Sequence, residues 1–219
     1  MSDIILKNGD ALTFLKEIES ESIELAILDP PWSYNSYGQF PNRNIAYKTV
    51  SDSYLEESFR EIIRILKPKS HCYLFTTNLR LGKDIPLMEK IGFSYHQILI
   101  VPYQGIKLGY GYRHEFLPIP ILFLSKNGSS VTNYHNISNL FRPYSFNTLG
   151  KPLPVLEPLV KQSSKEGDTV IDPFMGTGTT AVACKNLKRN FIGFEIDTER
   201  YKEVEIRISS RIANFEEEV

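Results

Sequence analysis

The sequence predicts an α/β layer fold. Short apolar runs alternate with segments of helical period along the chain, and that alternation is the mark of strands and helices stacked in layers. The 219 residues, 42% of them hydrophobic and 23% charged, suffice for one well-buried domain. No internal repeat, low-complexity tract or linker interrupts them, so 1–219 is taken as a single domain.

The elements follow in order. Residues 23–29, IELAILD, read as a buried strand ending at Asp29. SYLEESFREIIRILKP follows as a helix with Leu55, Phe59, Ile62, Ile63 and Leu66 on one face, Ser51 or Ser53 as its cap and Pro68 past its end. HCYLFTT (71–77) is a strand, IPLMEKIGF (85–93) a helix closed by Gly92, and SYHQILIV (94–101) a strand. FLPIPILFLS (116–125) has strand character, but Pro118 and Pro120 cannot donate to a ladder, which places it at an edge or bulge. Residues 127–150 are polar and aromatic without periodicity and read as a loop. DTVIDP (168–173) is a strand, TTAVACKNL (179–187) a helix, NFIGFEI (190–196) a strand, and a last helix runs from Thr198.

Charge and cysteine usage narrow the function classes. A formal net charge of −1 lacks the overall basic excess of a protein that binds nucleic acid by charge alone, so such a partner has to be met by local patches. Cys72 and Cys184 lie in apparent core segments, away from metal-ligand spacing, which suits a reducing cytoplasm and no zinc. The four histidines share no spacing, and no window approaches the roughly 20 apolar residues of a membrane span. A cytoplasmic protein without a membrane partner is expected.

Two stretches carry chemistry. ILDPPW (27–32) breaks an apolar run with an acid, two prolines and the only tryptophan. VIDPFMGTGTTAVACKNLKRNFIGFEID (170–197) runs from a strand through Asp172 and a turn with Gly176 and Gly178 into a helix, then a strand ending at Glu195. Glycines there let the backbone approach a ligand over the strand ends, and the later acid accepts hydrogen bonds from ribose hydroxyls. The turn has no G-x-G-x-x-G, and no Lys-Ser/Thr pair follows it, so a dinucleotide enzyme is disfavoured and a Walker loop excluded.

DPPW, DPFMGTGTT and NFIGFEID together resemble the amino-methyltransferases that move a methyl group from S-adenosylmethionine to an exocyclic base nitrogen, with the catalytic motif first, as in the permuted beta group of DNA methyltransferases. NGDALTFL, HEFLPIPILFLSK and GKPLPVLEPLV extend the resemblance over most of the chain. NIAYKTVSDSYLEE, TTN and GYGYRHE are also similar to the RNA adenosine N6-methyltransferases. The resemblance implies a Rossmann-like methyltransferase domain, a central mostly parallel sheet with helices on both faces. It implies catalysis at Asp29, Pro30, Pro31 and Trp32. It further implies cofactor contacts at Asp10, Ala11, Asp29, Lys151, Asp172, Phe174, Gly176, Thr177, Gly178, Thr179 and Glu195. The usual His-Pro-Thr-Gln lead-in to Lys151 is replaced by Asn-Thr-Leu-Gly.

The tetrapeptide then has a physical reading. The lone pair of a base amine is delocalised into the ring, which makes the nitrogen a poor nucleophile. Asp29 and the Pro30 carbonyl can each accept one amine hydrogen, drawing the nitrogen toward tetrahedral geometry and stabilising the charge that develops in direct displacement. Trp32 offers a face for a base turned out of its stack, worth about 1–3 kcal/mol.

Simpler roles stand beside these. Asp10 suits the cap of the helix after it as well as a cofactor adenine, and Lys151 suits a solvated lysine.

Aspartate as the first letter fits adenine N6 by family correlation, with RNA adenine N6, DNA cytosine N4 or a non-catalytic subunit of a heteromeric enzyme as alternatives. DNA, or RNA, is the expected partner, met by Arg43, Lys48, Arg80, Lys83, Lys107, Arg113 and Arg142 among Tyr34, Tyr37, Tyr103, Tyr110 and Tyr112. Residues 33–48 are expected to close over the flipped base. Residues 127–150 are a short loop insertion in place of a full target-recognition domain, so specificity falls to short loops, a homodimer or a specificity partner.

Overall fold

The computed structural model describes residues 2–31, 50–104, 118–128, 141, 144–145 and 150–209. Among them the chain forms β1 (Ile4–Asn8), α1 (Ala11–Glu17), β2 (Ile23–Leu28), α2 (Asp52–Ile65), β3 (Leu66–Phe75), α3 (Leu81–Ile91), β4 (Phe93–Val101), β5 (Tyr103–Gln104), β6 (Ile119–Lys126), β7 (Tyr144–Ser145), α4 (Leu153–Ser163), β8 (Thr169–Asp172), α5 (Thr179–Asn186), β9 (Asn190–Glu195) and α6 (Thr198–Ser209). Seven strands make one sheet in the order β1-β9-β8-β2-β3-β6-β4, in which only β6 runs against the rest.

Side-chain alternation along the strands builds a core on each face. Ala26 and Leu28 pack with Leu15, Leu55, Phe59, Ile62 and Met88, from α1, α2 and α3. Leu25 and Ile27 point the other way, to Val155, Leu159, Ala183 and Val204, from α4, α5 and α6. The predicted mostly parallel sheet with helices on both faces is therefore the observed one. Burying one such leucine or isoleucine contributes about 1.5–3 kcal/mol.

The α2 helix starts where its cap predicts, since Ser51 Oγ accepts from Tyr54 N at 3.1 Å. Its end differs: Leu66 already belongs to β3, so Pro68 lies in a strand. The β2–β3 register shifts between Ile23 and Leu25, and the irregular stretch this leaves holds Pro68 where no ladder donor is needed.

Residues 116–125 depart further from expectation. β6 lies inside the sheet between β3 and β4, not at an edge. Pro120 is the second residue of β6, and there its carbonyl accepts from Thr76 N at 3.0 Å. A strand's first turn of ladder can spare a donor, and the irregularity sits in β4, between Tyr95 and Gln97.

Three smaller differences remain. α3 begins at Leu81, earlier than its apolar pattern indicates, although Gly92 (φ 116°) closes it as predicted. Tyr144–Ser145, read as loop, pairs in parallel with β5. α4 forms over a stretch with no predicted element; Pro154 falls in its first turn, where the missing N–H has no partner to lose. Both cysteines are buried, as core residues. No helix of the described residues is long and apolar enough to cross a membrane.

Candidate active site

The parallel strands end along one edge, and acids stand at four of those ends. Asp10 follows β1 and caps α1, Glu195 ends β9 opposite Asn8, Asp172 ends β8 opposite Gly193, and Asp29 follows β2. Strand order therefore sets the order Asp10, Glu195, Asp172, Asp29 across the edge. From β2 the chain winds through α2 to β3 over one face; from β8 it winds through α5 to β9 over the other. The point where two such windings diverge leaves a crevice beyond the strand ends.

A pocket occupies that crevice, lined by Asp29, Phe75, Gly150, Lys151, Asp172, Phe174, Gly176, Thr177, Thr179 and Thr180 with apolar Ile27, Leu156 and Met175. The two sequence motifs thus meet in one cavity, joined by Lys151. Asp172 is buried and accepts from Thr180 Oγ1 at 2.6 Å and from Phe174 N at 3.1 Å. Burial pushes its carboxyl up to about 7, the Asp29 charge adds to the rise, and Lys151 opposes it.

The glycine turn is shaped by close approaches. Gly178 (φ +74°) precedes α5, and a Cβ there would come within 2.5 Å of Val204 Cγ1 on α6. From α6, Arg207 Nη1 donates to Thr177 O at 2.9 Å, so this helix braces the turn from outside. A Cβ on Gly150 would meet Thr177 Oγ1 at 2.4 Å, which is how the segment before Lys151 lies against the turn. Lys151 Nζ contacts Asp29 Oδ2 and lies 5.3 Å from the centre of the Phe75 ring.

The other predicted positions among the described residues do not line this cavity. Glu195 Oε1 accepts from Asp197 N at 2.9 Å, and burial raises its carboxyl. Asp10 does the capping: Oδ1 accepts from Thr13 N at 2.9 Å and Oδ2 from the Tyr54 hydroxyl at 2.8 Å. Burial would raise the Asp10 carboxyl, but these bonds hold it below its ordinary value. Ala11 is buried as the first residue of α1. Pro30 is buried and Pro31 half-buried; Trp32 and the 33–48 segment lie outside the described residues.

Of the basic and aromatic residues expected to meet a nucleic-acid backbone, Arg80 and Lys83 are described with their side chains, and the structure reassigns Arg80. It donates through Nη2 to Asp84 at 2.9 Å and through Nη1 to Asp52 at 3.1 Å. Asp84 is wholly buried and requires a counter-charge, so Arg80 is a structural partner. Lys83 pairs with Asp52. The Tyr103 side chain and the other nine, Arg43, Lys48, Lys107, Arg113, Arg142, Tyr34, Tyr37, Tyr110 and Tyr112, lie outside the described residues.

Sequence reasoning missed Thr180, Phe75 and Tyr54. Thr180, the last letter of the GTGTT string, was the one with a visible signal.

The residues fit S-adenosylmethionine. Asp172 is a buried carboxylate suited to an ammonium, Lys151 an ammonium suited to a carboxylate, and Glu195 an acceptor for hydroxyls two strands away from Asp29.

Comparison with known proteins agrees. A DNA methylase family model of the N6/N4 type matches residues 125–206. Type II methyltransferase M.HpaI of Haemophilus parainfluenzae is 30% identical over 239 residues, covering 95% of this chain and 75% of its own. The DNA adenine methyltransferase YhdJ of Escherichia coli (strain K12) is 27% identical over 240 residues, covering 89% and 79%. The crystal structure of the M1.HpyAVI–SAM complex shares the fold, with a TM-score of 0.71 at 21% identity over 94% of this chain and 100% of that one. This chain belongs to the N6/N4 DNA methylase family, and it is a DNA methyltransferase whose methyl donor is S-adenosylmethionine.

Proposed function

We propose that the chain methylates the N6 amine of adenine in DNA, with Asp29 and the Pro30 carbonyl accepting the two amine hydrogens. The observation that carries this reading is the shared pocket: the Asp29 carboxylate opens into the same cavity as Asp172, Lys151 and the glycine turn. Acceptor of the amine and cradle of the donor are thereby adjacent. S-adenosylmethionine supplies a methyl carbon on a sulfonium, an electrophile that needs no covalent enzyme intermediate. Asp29 draws the amine nitrogen out of conjugation and offsets the charge that develops on it. Asp172 binds the ammonium of the donor, Glu195 its ribose, and Gly176 to Thr179 its methionine end. Trp32 stacks on a base rotated out of the duplex.

Adenine is favoured over cytosine by the aspartate at the head of the tetrapeptide and by the activity named for the YhdJ relative. The chain acts as a single methyltransferase domain in which residues 127–150 replace a full recognition domain, and sequence selectivity comes from short loops, a second copy or a specificity partner. It works in the cytoplasm, a reading supported by two buried free thiols.

The test is transfer of labelled methyl from S-adenosylmethionine to duplex DNA, single-stranded DNA and RNA, with the product nucleoside identified by mass spectrometry. N6-methyldeoxyadenosine is the expected product. N4-methyldeoxycytidine or a modified ribonucleoside alone would reject adenine DNA as substrate, and donor binding without transfer to any polymer would reject catalysis.

A further inference from the structure

The cavity holds three charged side chains, two acids and one base. Among the described residues that line it, Lys151 is the one cation. It is committed to Asp29, the residue proposed to grip the substrate amine. Neither partner is sealed off, for the side chains are 21% and 34% exposed, so the pair can exchange partners without breaking core packing. Asp172 lies close enough to feel both of them.

A methyl donor of the amino-acid type carries ammonium and carboxylate on the same carbon. With its ammonium on Asp172, its carboxylate enters the cavity whose single described cation is already paired. Two anions then compete for one lysine.

We propose that Lys151 is a donor-responsive latch on Asp29: its ammonium holds Asp29 Oδ2 while the donor is absent and leaves it for the donor's carboxylate when the donor binds. This rests on the donor assignment of the same pocket. Asp29 presents an unpaired carboxylate to an amine only in the loaded enzyme, so the unloaded enzyme is a poor partner for the extruded base. Phe75 gives the ammonium a ring face to move across. Lys151 is in this sense a positioning residue, acting on the amine through Asp29.

Linkage requires the competition to be visible from the donor's side as well. The probes are S-adenosylhomocysteine, which keeps the carboxylate and lacks the sulfonium, and its decarboxylated counterpart S-adenosyl-3-thiopropylamine. Both avoid direct attraction between Asp29 and a sulfonium. Binding is measured by calorimetry on the wild type, Asp29→Asn, Asp29→Ala, Lys151→Ala and the Lys151→Ala/Asp29→Asn double variant, each checked for folding by its thermal melt.

Removal of Asp29 as competitor is expected to tighten S-adenosylhomocysteine by about fivefold, the upper range for a partly exposed ion pair, and to leave the decarboxylated probe unchanged. In Lys151→Ala the preference for the carboxylate-bearing probe is expected to collapse, and adding Asp29→Asn to have no further effect. Equal shifts on both probes, or no shift in either Asp29 variant, overturn the latch while leaving the donor assignment in place. Failure of every form to bind either probe overturns the donor assignment, and the latch with it.

Discussion

The Lys151 ammonium meets the Asp29 carboxylate across 122 residues of chain, at the junction of the strand that carries the acid and the segment that leads into α4. The contact ties the tetrapeptide to the segment before α4, which itself lies against the glycine turn of the other motif.

Replacing Asp29 by alanine is expected to reduce turnover by about 10²- to 10³-fold, the range for losing one preorganised partner of a developing charge. Stability should hardly move, because Asp29 lies beyond β2 and is a third exposed. Initial rates with labelled donor, read beside the thermal melt, check both halves. Near wild-type turnover in a folded variant rejects the role given to Asp29.

Asp172 links the cavity to pH. Burial raises its carboxyl from the ordinary 3.8 to about 7 in the folded chain, so folding takes up a proton between those values. The stability contributed is full below about 3.8 and is lost as pH rises through about 7. The melting temperature of the wild type, measured from pH 5 to 8, should therefore fall relative to that of Asp172→Asn by several degrees, at about 2–4 °C per kcal/mol for a chain of this size. The same variant should bind the donor more weakly. A pH-independent difference between the two melts would show that Asp172 is ionised throughout.

Glu195→Gln should weaken donor binding by about tenfold, equivalent to about 1.4 kcal/mol, with little change in turnover at saturating donor. Its carboxylate is two strands removed from Asp29 in the sheet order. Calorimetry and a kcat/KM split distinguish this from a catalytic defect; a fall in kcat alone would contradict it.

Gly178→Ala should destabilise the fold by about 2 kcal/mol or more, since φ is +74° and the new Cβ would stand 2.5 Å from Val204 Cγ1. Because α6 braces the turn, donor affinity should fall as well. Chemical denaturation measures the first effect and calorimetry the second, and an unchanged midpoint would mean that α6 does not press on the turn.

Much of the fold was legible because local patterns encode it. The spacing of Leu55, Phe59 and Ile62 gave α2, Gly92 gave the end of α3, and the acids after apolar runs marked the strand ends that became the site. Proline misled at Pro120 within β6, whereas Pro154 and Pro158 are accommodated within α4. Its cost depends on whether a neighbour needs the missing N–H, and that is decided by pairing and position.

The site divides in the same way. Local sequence sets which residue types stand at which strand ends: Asp29 before two prolines, Asp172 before the glycine turn, and Glu195 at the close of the next strand. Tertiary structure alone decided that Lys151 pairs with Asp29, that Tyr54 claims Asp10 from 44 residues away, and that Arg80 serves buried Asp84. Periodicity and turn chemistry act over a few residues and are written locally. Partners of a charge depend on which strand ends the sheet order brings together, and on how far burial removes the competing water.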